Sequence, residues 1–466
     1  MHDRPFDPQW TTDSPRLEAY LARLCAELSV LGEGRRRRRQ DAQASFEAAV
    51  RAVVLDMFRA HLSDPVLEVG IGTDNNVLQK LSKSQYGASF ISARTFRDAM
   101  HALQNAGLVM ESTPFWHDPA GKDSRVSRYM ATPALLSGLE QAGASVTDLR
   151  RHANAEGIRL KDHDKVLVEY GQDGFAEGAR DRLHIINGML ASHWADLALS
   201  DERIAQEVQR LRGTREDEAT QTFDSAARTV YRVFNNSDWQ QGGRFYGAWW
   251  IGCPSKLRPY ILIDGKRTVE VDYSGIHAAM LYAAAGKAIP DDPYERCLSK
   301  AGNVAERKLV KQTFNALLNA DNIDTINEIE GYSADLTGKG WQEFKRFIVA
   351  QYPEFQHHFG SGVGLRLQRK DSDLAEKVML KFAAMGHACL PVHDSFIVHY
   401  GLAQDLADAM DSAFLQEFGV SGRVGVDVGL GEQVVGGDIP IDDDISDLLN
   451  PTGHEARLSA FRCNNT

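Results

Sequence analysis

The stretch Val269-Glu-Val-Asp-Tyr-Ser-Gly-Ile-His277 changes its pattern halfway along. Its two valines alternate with Glu270 and Asp272, which is the period-two pattern of a half-buried strand with an acidic face. Ser274 is a suitable N-cap, so we expect a helix from about Gly275 to Ala285. The pattern therefore places Asp272 at the end of a strand, beside a strand-to-helix turn.

A second stretch, Leu390-Pro-Val-His-Asp-Ser-Phe-Ile-Val398, also sets one aspartate among apolar residues. It is typical of a β-hairpin with Asp394 near its tip. A lone aspartate in such a place is usually a turn or cap residue. A buried carboxylate is otherwise costly unless it is paired or binds a metal ion. Asp272 and Asp394 side by side would form a site for divalent metal ions.

A third stretch, Asn303 to Asn319, is predicted to be a helix. Its first residue and Glu306 resemble a capping box. Four polar residues at four-residue intervals share one face of this helix: Arg307, Lys311, Asn315 and Asn319. Two cations near two metal-binding carboxylates would suit a nucleoside triphosphate, because they neutralise its phosphates. A solvated basic stripe is the alternative.

These stretches together resemble three motifs of the family A DNA polymerases, in the order found in that family. The motifs are Asp272–His277 for motif A, Arg307-x-x-x-Lys311 with Phe314-Asn315 for motif B, and Val392–Ser395 for motif C. Two further segments are similar to the same family: Gly242–Gly247 and the helix that begins at Gln368. The resemblance covers about 240–432, and single-subunit RNA polymerases share the same palm.

The resemblance implies a role for each matching residue. Asp272 and Asp394 are the implied catalytic ligands of two Mg²⁺ ions, with the Tyr273 carbonyl as a further ligand; Mn²⁺ would also suit such oxygen donors. The implied nucleotide-binding residues are Tyr273, His277, Arg307, Lys311, Asn315 and Asn319. The residues implied to contact template and primer are Arg244, Gln368 and His393.

The sequence also departs from the family pattern. His277 stands where the family usually has a glutamate that shapes the sugar pocket, and the usual aromatic residues of motif B are displaced or replaced. The preference for dNTPs or NTPs is therefore open. The interval of 35 residues between Asp272 and Arg307 (307 − 272) is short and predicts reduced fingers. We find no acidic cluster suited to a proofreading exonuclease.

Upstream, residues 46–142 are predicted to form a winged helix. Helices are expected at Val50–His61 and Ser92–Gly107, followed by a wing of two paired strands, Leu108–Pro114 and Arg125–Ala131. Arg94 and Arg97 lie away from the apolar face of the second helix, as in a recognition helix that contacts DNA. A winged helix used for protein contacts or packing is the alternative.

The remaining segments complete a five-part organisation. Residues 1–45 hold an N-terminal helix and an arginine-rich linker with five consecutive arginines, Arg35–Arg39, suited to phosphate binding or to a solvated linker. Residues 143–239 are predicted to be a mainly helical, thumb-like region with a strand at Val166–Tyr170 and a helix from Glu177 to Leu199. Residues 240–432 form the palm and fingers. Residues 433–466 form an acidic tail, expected to be flexible at its end.

Composition agrees with this organisation. The chain has 466 residues, 43% of them hydrophobic, which is enough for two or three domains. Its net charge of −12 argues against a uniformly basic coat but leaves room for local basic surfaces. The five cysteines contain no CxxC pair, so we expect neither zinc nor a disulfide framework, as suits a reducing cytoplasm. No stretch has the length of a membrane span and none resembles a secretory signal, so no membrane partner is expected.

The sequence therefore predicts an α+β protein with a right-hand polymerase palm. The expected activity is template-dependent nucleic-acid synthesis with nucleic acid and nucleoside triphosphates as partners. DNA synthesis is favoured because the Gly-Gly-Arg segment and the Asp-Tyr-Ser spacing match the DNA enzymes better. The alternatives are an RNA polymerase or primase-like enzyme, and a non-catalytic replication-initiator or regulatory DNA-binding protein.

Overall fold

The computed structural model describes residues 2–31, 38–118, 125–212, 223–299, 302–422, 424–427 and 452–464. The protein is mixed α+β, which confirms the predicted class, and it has two separate apolar cores. The first is built mainly from residues 10–149 and the second from residues 158–414. Among the described residues, no helix has both the length and the apolar character needed to cross a membrane.

The N-terminal core is surrounded by ten elements. They are β1 (Asp3–Pro5), β2 (Trp10–Thr11), α1 (Pro15–Leu31), α2 (Gln40–Ser63), β3 (Glu68–Gly70), α3 (Asn75–Lys83), α4 (Ala93–Asn105), β4 (Val109–Thr113), β5 (Arg128–Ala131) and α5 (Pro133–Gln141). Four of the strands form one sheet in the order β1-β3-β5-β4. The long α2 passes through the middle of this region and is buried along most of its second half.

Several local predictions for this region are confirmed. The Ser92 hydroxyl caps α4 by accepting a hydrogen bond from the Thr95 amide at 3.3 Å. β4 and β5 pair in antiparallel fashion, as the predicted wing requires. The first predicted helix is longer than expected, because α2 begins at Gln40 rather than at Val50. The assignment of the whole region as a winged helix stays a prediction.

Most of the remaining elements surround the second core, whereas residues 150–151 pair with β2, and Leu458 and Phe461 of the last helix belong to the first core. The remaining elements are β6 (Arg150–Arg151), β7 (Ile158–Leu160), α6 (Gly174–Ala191), β8 (Ala195–Leu197), α7 (Asp201–Arg212), β9 (Tyr231–Asn235), β10 (Asp238–Tyr246), β11 (Ile261–Ile263), β12 (Lys266–Tyr273), α8 (Ile276–Ala284), α9 (Val304–Asn319), α10 (Ala334–Thr337), α11 (Trp341–Ala350), α12 (Gly364–Ala384), β13 (Leu390–Val392), β14 (Ser395–His399), α13 (Ala403–Phe418), β15 (Val424–Asp427) and α14 (Thr452–Asn464).

An antiparallel sheet lies at the centre of this core, in the order β13-β14-β12-β11-β8, with β15 also paired to β12. The valines of β12 are fully buried, while Glu270 and Asp272 on its other face are partly exposed. This alternation confirms the predicted strand. Because β12 has partners on both sides, its register with β14 and with β15 is fixed.

A smaller sheet, β10-β9-β7, packs against α12. The fully buried Arg232 of β9 joins the two: its guanidinium donates to Glu376 of α12 at 2.6 Å and to the Gly243 carbonyl at 2.8 Å. An unpaired buried charge would be costly, so Glu376 compensates for the desolvation of Arg232. This contact fixes the β9-β10 hairpin on the long helix.

Two predictions for the segment 143–239 are wrong. The strand lies at Ile158–Leu160 and not at Val166–Tyr170, because residues 158–160 pair with β9. Helix α6 ends at Ala191 rather than continuing to Leu199. The Trp194 amide donates to the Asp264 carboxylate at 2.8 Å, and the chain then continues as β8 beside β11. This tertiary pairing overrides the helical spacing of the apolar residues.

The end of the chain is also ordered differently from the expectation. Residues 452–464 form α14, and the Phe461 ring packs against Trp194 with ring centroids 5.4 Å apart. Arg457 of this helix donates to the buried Asp196 at 2.6 Å. The expected flexible end is therefore wrong for this segment. The acidic residues of the tail at 438–447 lie outside the described residues.

Two arginines of the run, Arg38 and Arg39, lie within the described residues. Arg38 packs over the Phe46 ring, with its guanidinium carbon 3.9 Å from the ring centroid, and it lies 4.0 Å from Asp98. Arg39 immediately precedes α2. Residues 35–37 lie outside the described residues. The block is thus not wholly solvated, because an arginine stem and guanidinium can pack on an aromatic face.

Candidate functional site

The structure brings Asp272 and Asp394 together. Asp272, near the end of β12, lies opposite Ser395, the first residue of β14. The next amide along, that of Tyr273, donates a hydrogen bond to the Asp394 carbonyl oxygen at 3.3 Å. Both aspartates are partly exposed. Two carboxyl-bearing residues, 122 positions apart in sequence (394 − 272), therefore lie side by side, one near the end of β12 and the other in the turn just before β14.

The hairpin that carries Asp394 is tightly held. His393 and Asp394 form a two-residue turn between β13 and β14, as predicted, and His393 has a left-handed backbone with φ of +58°. Such a conformation costs a non-glycine residue about 1–2 kcal/mol. Ser395 offsets part of this cost, because its hydroxyl donates to Glu270 of β12 at 2.5 Å. The position of Asp394 is thus tied to the strand that carries Asp272.

Glu270 shares the polar face of β12 with Asp272, but it has other partners. Besides Ser395, its carboxylate binds Arg258 at 3.0 Å. Arg258 supplies the positive charge for Glu270 from the segment before β11. Glu270 is therefore held by Ser395 and Arg258 on the same face of β12 as Asp272.

Strand β15 approaches Asp272 closely from the other side of β12. Gly425 pairs with Asp272, and a Cβ atom at Gly425 would lie 2.8 Å from the Asp272 carboxylate and 3.2 Å from the Ser274 hydroxyl. A side chain at position 425 would therefore displace the carboxylate. Glycine gives the acid the space that it occupies.

The turn after β12 differs from the prediction. The N-cap of α8 is Gly275 and not Ser274, and Gly275 has a left-handed backbone with φ of +62°. A residue with a side chain is strained in this conformation, which explains why glycine occupies it. The ring of Tyr294 and the preceding proline pack against this glycine. The turn therefore brings the segment around residue 294 up to the acid pair.

Helix α9 forms as predicted, with Asn303 as its N-cap. The predicted capping box is incomplete, because the Glu306 carboxylate binds the amide and hydroxyl of Ser299, both at 2.9 Å, instead of the N-cap amide. Arg307 and Lys311 are both exposed on one face of the helix. The predicted cationic stripe is therefore present and solvent-facing.

Arg307 has a specific acidic partner in the structure. Its guanidinium forms two hydrogen bonds to Asp292, of 2.6 and 3.1 Å. Burial works to raise the pKa of Asp292, but the hydrogen bonds from Arg307 and the charges of Arg307 and Lys311 hold the pKa below its ordinary value. Both cations thus act on one carboxylate.

Tyr294 lies between the cationic helix and the acid pair. The Arg307 guanidinium carbon is 5.5 Å from the centroid of its ring. Burial raises the pKa of the Tyr294 phenol, and Arg307, Asp292 and Asp394 are the charges that act on it. One buried ring therefore senses both Arg307 and Asp394. This places the two halves of the predicted site around a common residue.

A buried carboxylate, Asp371 of α12, organises the other side of the site. It accepts hydrogen bonds from Arg244, the shortest of 2.5 Å, and lies 3.0 Å from the His277 ring nitrogen Nε2. Asp371 is only 3% exposed. Burial works to lower the pKa of Arg244, but the charges of Asp371 and Asp394 raise it. Arg244 and His277 are thus held by one acid close to Asp394.

The glycines before Arg244 explain its placement. Gly242 and Gly243 both have positive φ, and the pairing of β10 with β9 shifts register on each side of Gly242. A Cβ atom at Gly243 would lie 2.8 Å from the Ser372 hydroxyl of α12. The two glycines therefore let the bulged strand approach the helix, which brings Arg244 to Asp371. Gln368, one turn before Asp371, is partly buried on the same helix.

Three predicted nucleotide-binding residues lie less favourably. The Tyr273 side chain is buried, and its hydroxyl donates to the Met410 carbonyl at 2.7 Å. The side chain therefore does not face a nucleotide, and only the main-chain carbonyl of Tyr273 remains as a predicted metal ligand. Asn319 donates to the Asn315 carbonyl at 2.8 Å. Asn319 is 12 residues beyond Arg307, or about 18 Å along the helix axis.

The two arginines predicted to contact DNA differ in their surroundings. Arg94 is exposed on the first turn of α4. Arg97 is partly buried and donates to the Thr73 carbonyl at 3.2 Å. Arg94 is thus the more accessible of the two for a phosphate contact.

The donor set of the acid pair suits a hard divalent cation, because it offers carboxylate oxygens from a strand and from the tight turn beside it. Within the described parts of the chain, no cluster of three or more His, Cys, Asp and Glu side chains has the arrangement of a metal site. Any cation here would therefore be shared between two carboxylates, main-chain oxygen, water and substrate. Mg²⁺ is commonly bound in this way.

Comparison with known proteins adds no relative. No protein-family model matches the chain, and no curated protein matches its sequence.

Sequence reasoning missed three residues of the site: Asp292, Tyr294 and Asp371. Asp371 lies three residues after Gln368, so its place on the same helix face was a usable signal. Its burial was not, because it depends on the bulge in β10. Asp292 and Tyr294 lie in a short turn-rich segment, Pro290–Tyr294, whose pattern carries no sign of its neighbours.

Proposed function

We propose that this protein is a template-dependent nucleic-acid polymerase, with DNA synthesis favoured. It would add nucleotides to a terminal 3′-hydroxyl by a two-metal mechanism on a right-hand palm. The observation that carries the proposal is the meeting of Asp272 and Asp394 at the ends of paired strands, near an exposed pair of cations. The five sequence motifs in family order support the same activity.

Asp272 and Asp394 would hold the cations in this proposal. Their backbones are fixed by the pairing of β12 with β14 and by the Ser395 hydrogen bond to Glu270. When bound, two Mg²⁺ ions would activate the 3′-hydroxyl and stabilise the leaving pyrophosphate. The contribution of the chain is to keep the two carboxylates adjacent, since a strand end holds one and a two-residue hairpin turn holds the other.

Arg307 and Lys311 would bind the triphosphate. Asp292 now provides the negative charge that Arg307 needs. A triphosphate carries more charge than one carboxylate, so it would replace Asp292 as the partner of both cations. Arg307 would donate to it through two parallel N–H groups, and Lys311 would act as a point charge.

Arg244 and His277 would contact the nucleic-acid end and the sugar of the incoming nucleotide. Asp371 holds both side chains, and each of them stays partly exposed. A residue that is held in place loses less conformational entropy when it binds. The N-terminal region, with Arg94 exposed on α4, would supply further contacts to duplex DNA.

One extension assay tests the proposal. The full chain is incubated with Mg²⁺ and labelled dNTPs or NTPs, on a template with and without an annealed primer. We expect primer-dependent incorporation of dNTPs. Incorporation of NTPs, or synthesis without a primer, would instead favour the RNA polymerase or primase-like alternative.

Two carboxamide variants make the assay specific. Asp272→Asn and Asp394→Asn should each lower incorporation by at least about 10³-fold, because each removes a charged metal ligand while keeping the shape of the side chain. Asp408→Asn, an exposed acid on α13, is the matched control and should retain full activity. Incorporation that survives in either site variant would exclude the two-metal assignment.

A further inference from the structure

A group of arginines apart from Arg307 and Lys311 lines an open cavity of about 430 Å³ between the two cores. Four arginines contribute to its wall: Arg59, Arg151, Arg159 and Arg180. Three of them have carboxylate partners. Arg59 binds Asp224 at 2.6 Å, Arg151 binds Asp7 at 2.8 Å, and Arg180 binds Glu156 at 2.9 Å.

Arg159 differs from the other three. In the described part of the chain it forms no ion pair, and its buried Nε atom has no hydrogen-bond partner. Its guanidinium carbon lies 3.5 Å from the centroid of the Tyr231 ring, and burial lowers its pKa. A guanidinium that is partly withdrawn from water and has no carboxylate partner is costly. An anion from outside the chain would supply the missing partner.

Arg159 lies on the same face of the small sheet as Arg244, which is close to the acid pair. Arg159 of β7 pairs with Val233 of β9, which in turn pairs with Arg244 of β10. Cross-strand partners lie on the same face of a sheet. The two arginines therefore share one face of the sheet. Their main chains are separated by two strand spacings, or about 10 Å.

Two tyrosines complete this face. Tyr231 and Tyr246 are cross-strand partners whose rings stack 6.2 Å apart, and Arg159 covers the first of them. Arg244 and Tyr246 also act on each other electrostatically. A basic and aromatic row thus leads from the acid pair to the cavity. Such rows bind nucleic-acid strands through phosphate contacts and base stacking.

We propose that the cavity around Arg159 binds a backbone phosphate of the nucleic-acid strand whose end lies at Asp272 and Asp394. The strand assignment rests on the proposed function, whereas the phosphate site rests on the cavity alone. At 3.4 Å per nucleotide, the distance of about 10 Å between Arg159 and Arg244 corresponds to about three stacked nucleotides. The site therefore extends the contact with the strand beyond its reacting end.

The test measures binding and not synthesis. A fluorescent single-stranded oligonucleotide and a primer–template duplex are titrated with the full chain by anisotropy, over a series of salt concentrations and without nucleotides. Arg159→Gln should weaken strand binding by about tenfold, and the slope of log K against log salt should fall by about one. Arg159→Lys keeps the charge and should keep the slope.

Arg23→Gln on α1 is the control for the loss of one surface charge, since Arg23 is largely exposed and does not line the cavity. If Arg159→Gln matches both Arg23→Gln and the unchanged chain in affinity and slope, the phosphate site is wrong. A separate anisotropy titration measures the binding of a fluorescent dNTP. If Arg159→Gln keeps strand affinity but loses dNTP binding there, the phosphate belongs to a free nucleotide and the strand assignment is overturned. If the salt slope depends on Arg159 but the chain has no extension activity, the phosphate site stands and the proposed polymerase activity is rejected.

Discussion

Arg307 and Asp292 form a two-hydrogen-bond ion pair at the start of α9, with N–O distances of 2.6 and 3.1 Å. The Arg307 side chain is 46% exposed, so the pair lies at the protein surface and not in a core. Such exposed pairs contribute at most about 1 kcal/mol. The pair is therefore weak enough for a triphosphate to displace it.

We predict that Asp292→Asn lowers the KM for the incoming nucleotide by about two- to fivefold, because Arg307 no longer has to exchange partners. The turnover number should change little. Steady-state extension at varied nucleotide concentration measures both. Asp324→Asn, which alters an exposed acid 3.8 Å from Arg346, is the matched control. A higher KM in the Asp292 variant would show that Asp292 positions Arg307 instead of competing for it.

Asp371→Asn should weaken both the fold and the site. The carboxylate is buried and receives hydrogen bonds from Arg244, so its loss leaves a partly desolvated guanidinium without its partner. We expect a loss of about 2 kcal/mol in the free energy of unfolding, measured by urea titration. Extension activity should also fall, because Arg244 and His277 lose the group that holds them.

A double-mutant cycle with Arg244→Gln tests whether this effect passes through the pair. The two changes should be less than additive in free energy of unfolding, since they remove the same interaction. Asp408→Asn is again the exposed control. Additive effects would mean that Asp371 and Arg244 stabilise the fold independently of each other.

Much of the site's local structure could be predicted from sequence. The strand of Asp272, the hairpin of Asp394 and the helix of Arg307 each follow from a short pattern of apolar spacing and turn residues. Local patterns of this kind specify an element without its neighbours. The meeting of the two acids was not local, and it was expected from the family resemblance rather than from spacing.

The parts that were missed depend on tertiary contacts. Helix α6 stops at Ala191 because Trp194 binds Asp264, which is 70 residues away. Gly275 caps α8 because the turn needs a left-handed residue, and Ser274 offered a more familiar cap in the sequence. The partners of Asp371 and Asp292 likewise come from distant segments. Sequence patterns contain propensities, whereas these features depend on which segments pack together.

The stability of the β11-β12 turn should depend on pH through His193. A hydrogen bond with Asp264, at 2.5 Å, raises the pKa of His193 above its ordinary value of 6.5, although burial opposes this shift. A raised histidine pKa stabilises the folded state below the unfolded pKa, and this contribution is lost as pH rises through the folded pKa. We therefore expect the advantage over His193→Gln to be larger at about pH 5.5 than at about pH 9.

Both side chains are partly exposed, so the pH-dependent difference should be less than about 1 kcal/mol. Urea titrations of the two proteins at both pH values measure it. His101→Gln, an exposed change on α4 outside this hydrogen bond, serves as the control for the loss of one histidine. An advantage that grows toward high pH would contradict the assigned direction of the His193 shift.

Gly425→Ala gives a sharp test of the geometry around Asp272. The added Cβ atom would lie 2.8 Å from the Asp272 carboxylate, so the carboxylate must move or rotate. A displacement of about 1 Å in a reacting group can cost about 10²-fold in rate, and we expect a loss of this size in extension activity.

Because Gly425 has no positive φ, the backbone accepts alanine, and the thermal unfolding midpoint should fall by only a few degrees. Gly174→Ala at the start of α6, where a Cβ atom would meet nothing within 4 Å, should leave the activity unchanged. Full activity in the Gly425 variant would mean that the position of the Asp272 carboxylate does not limit the reaction.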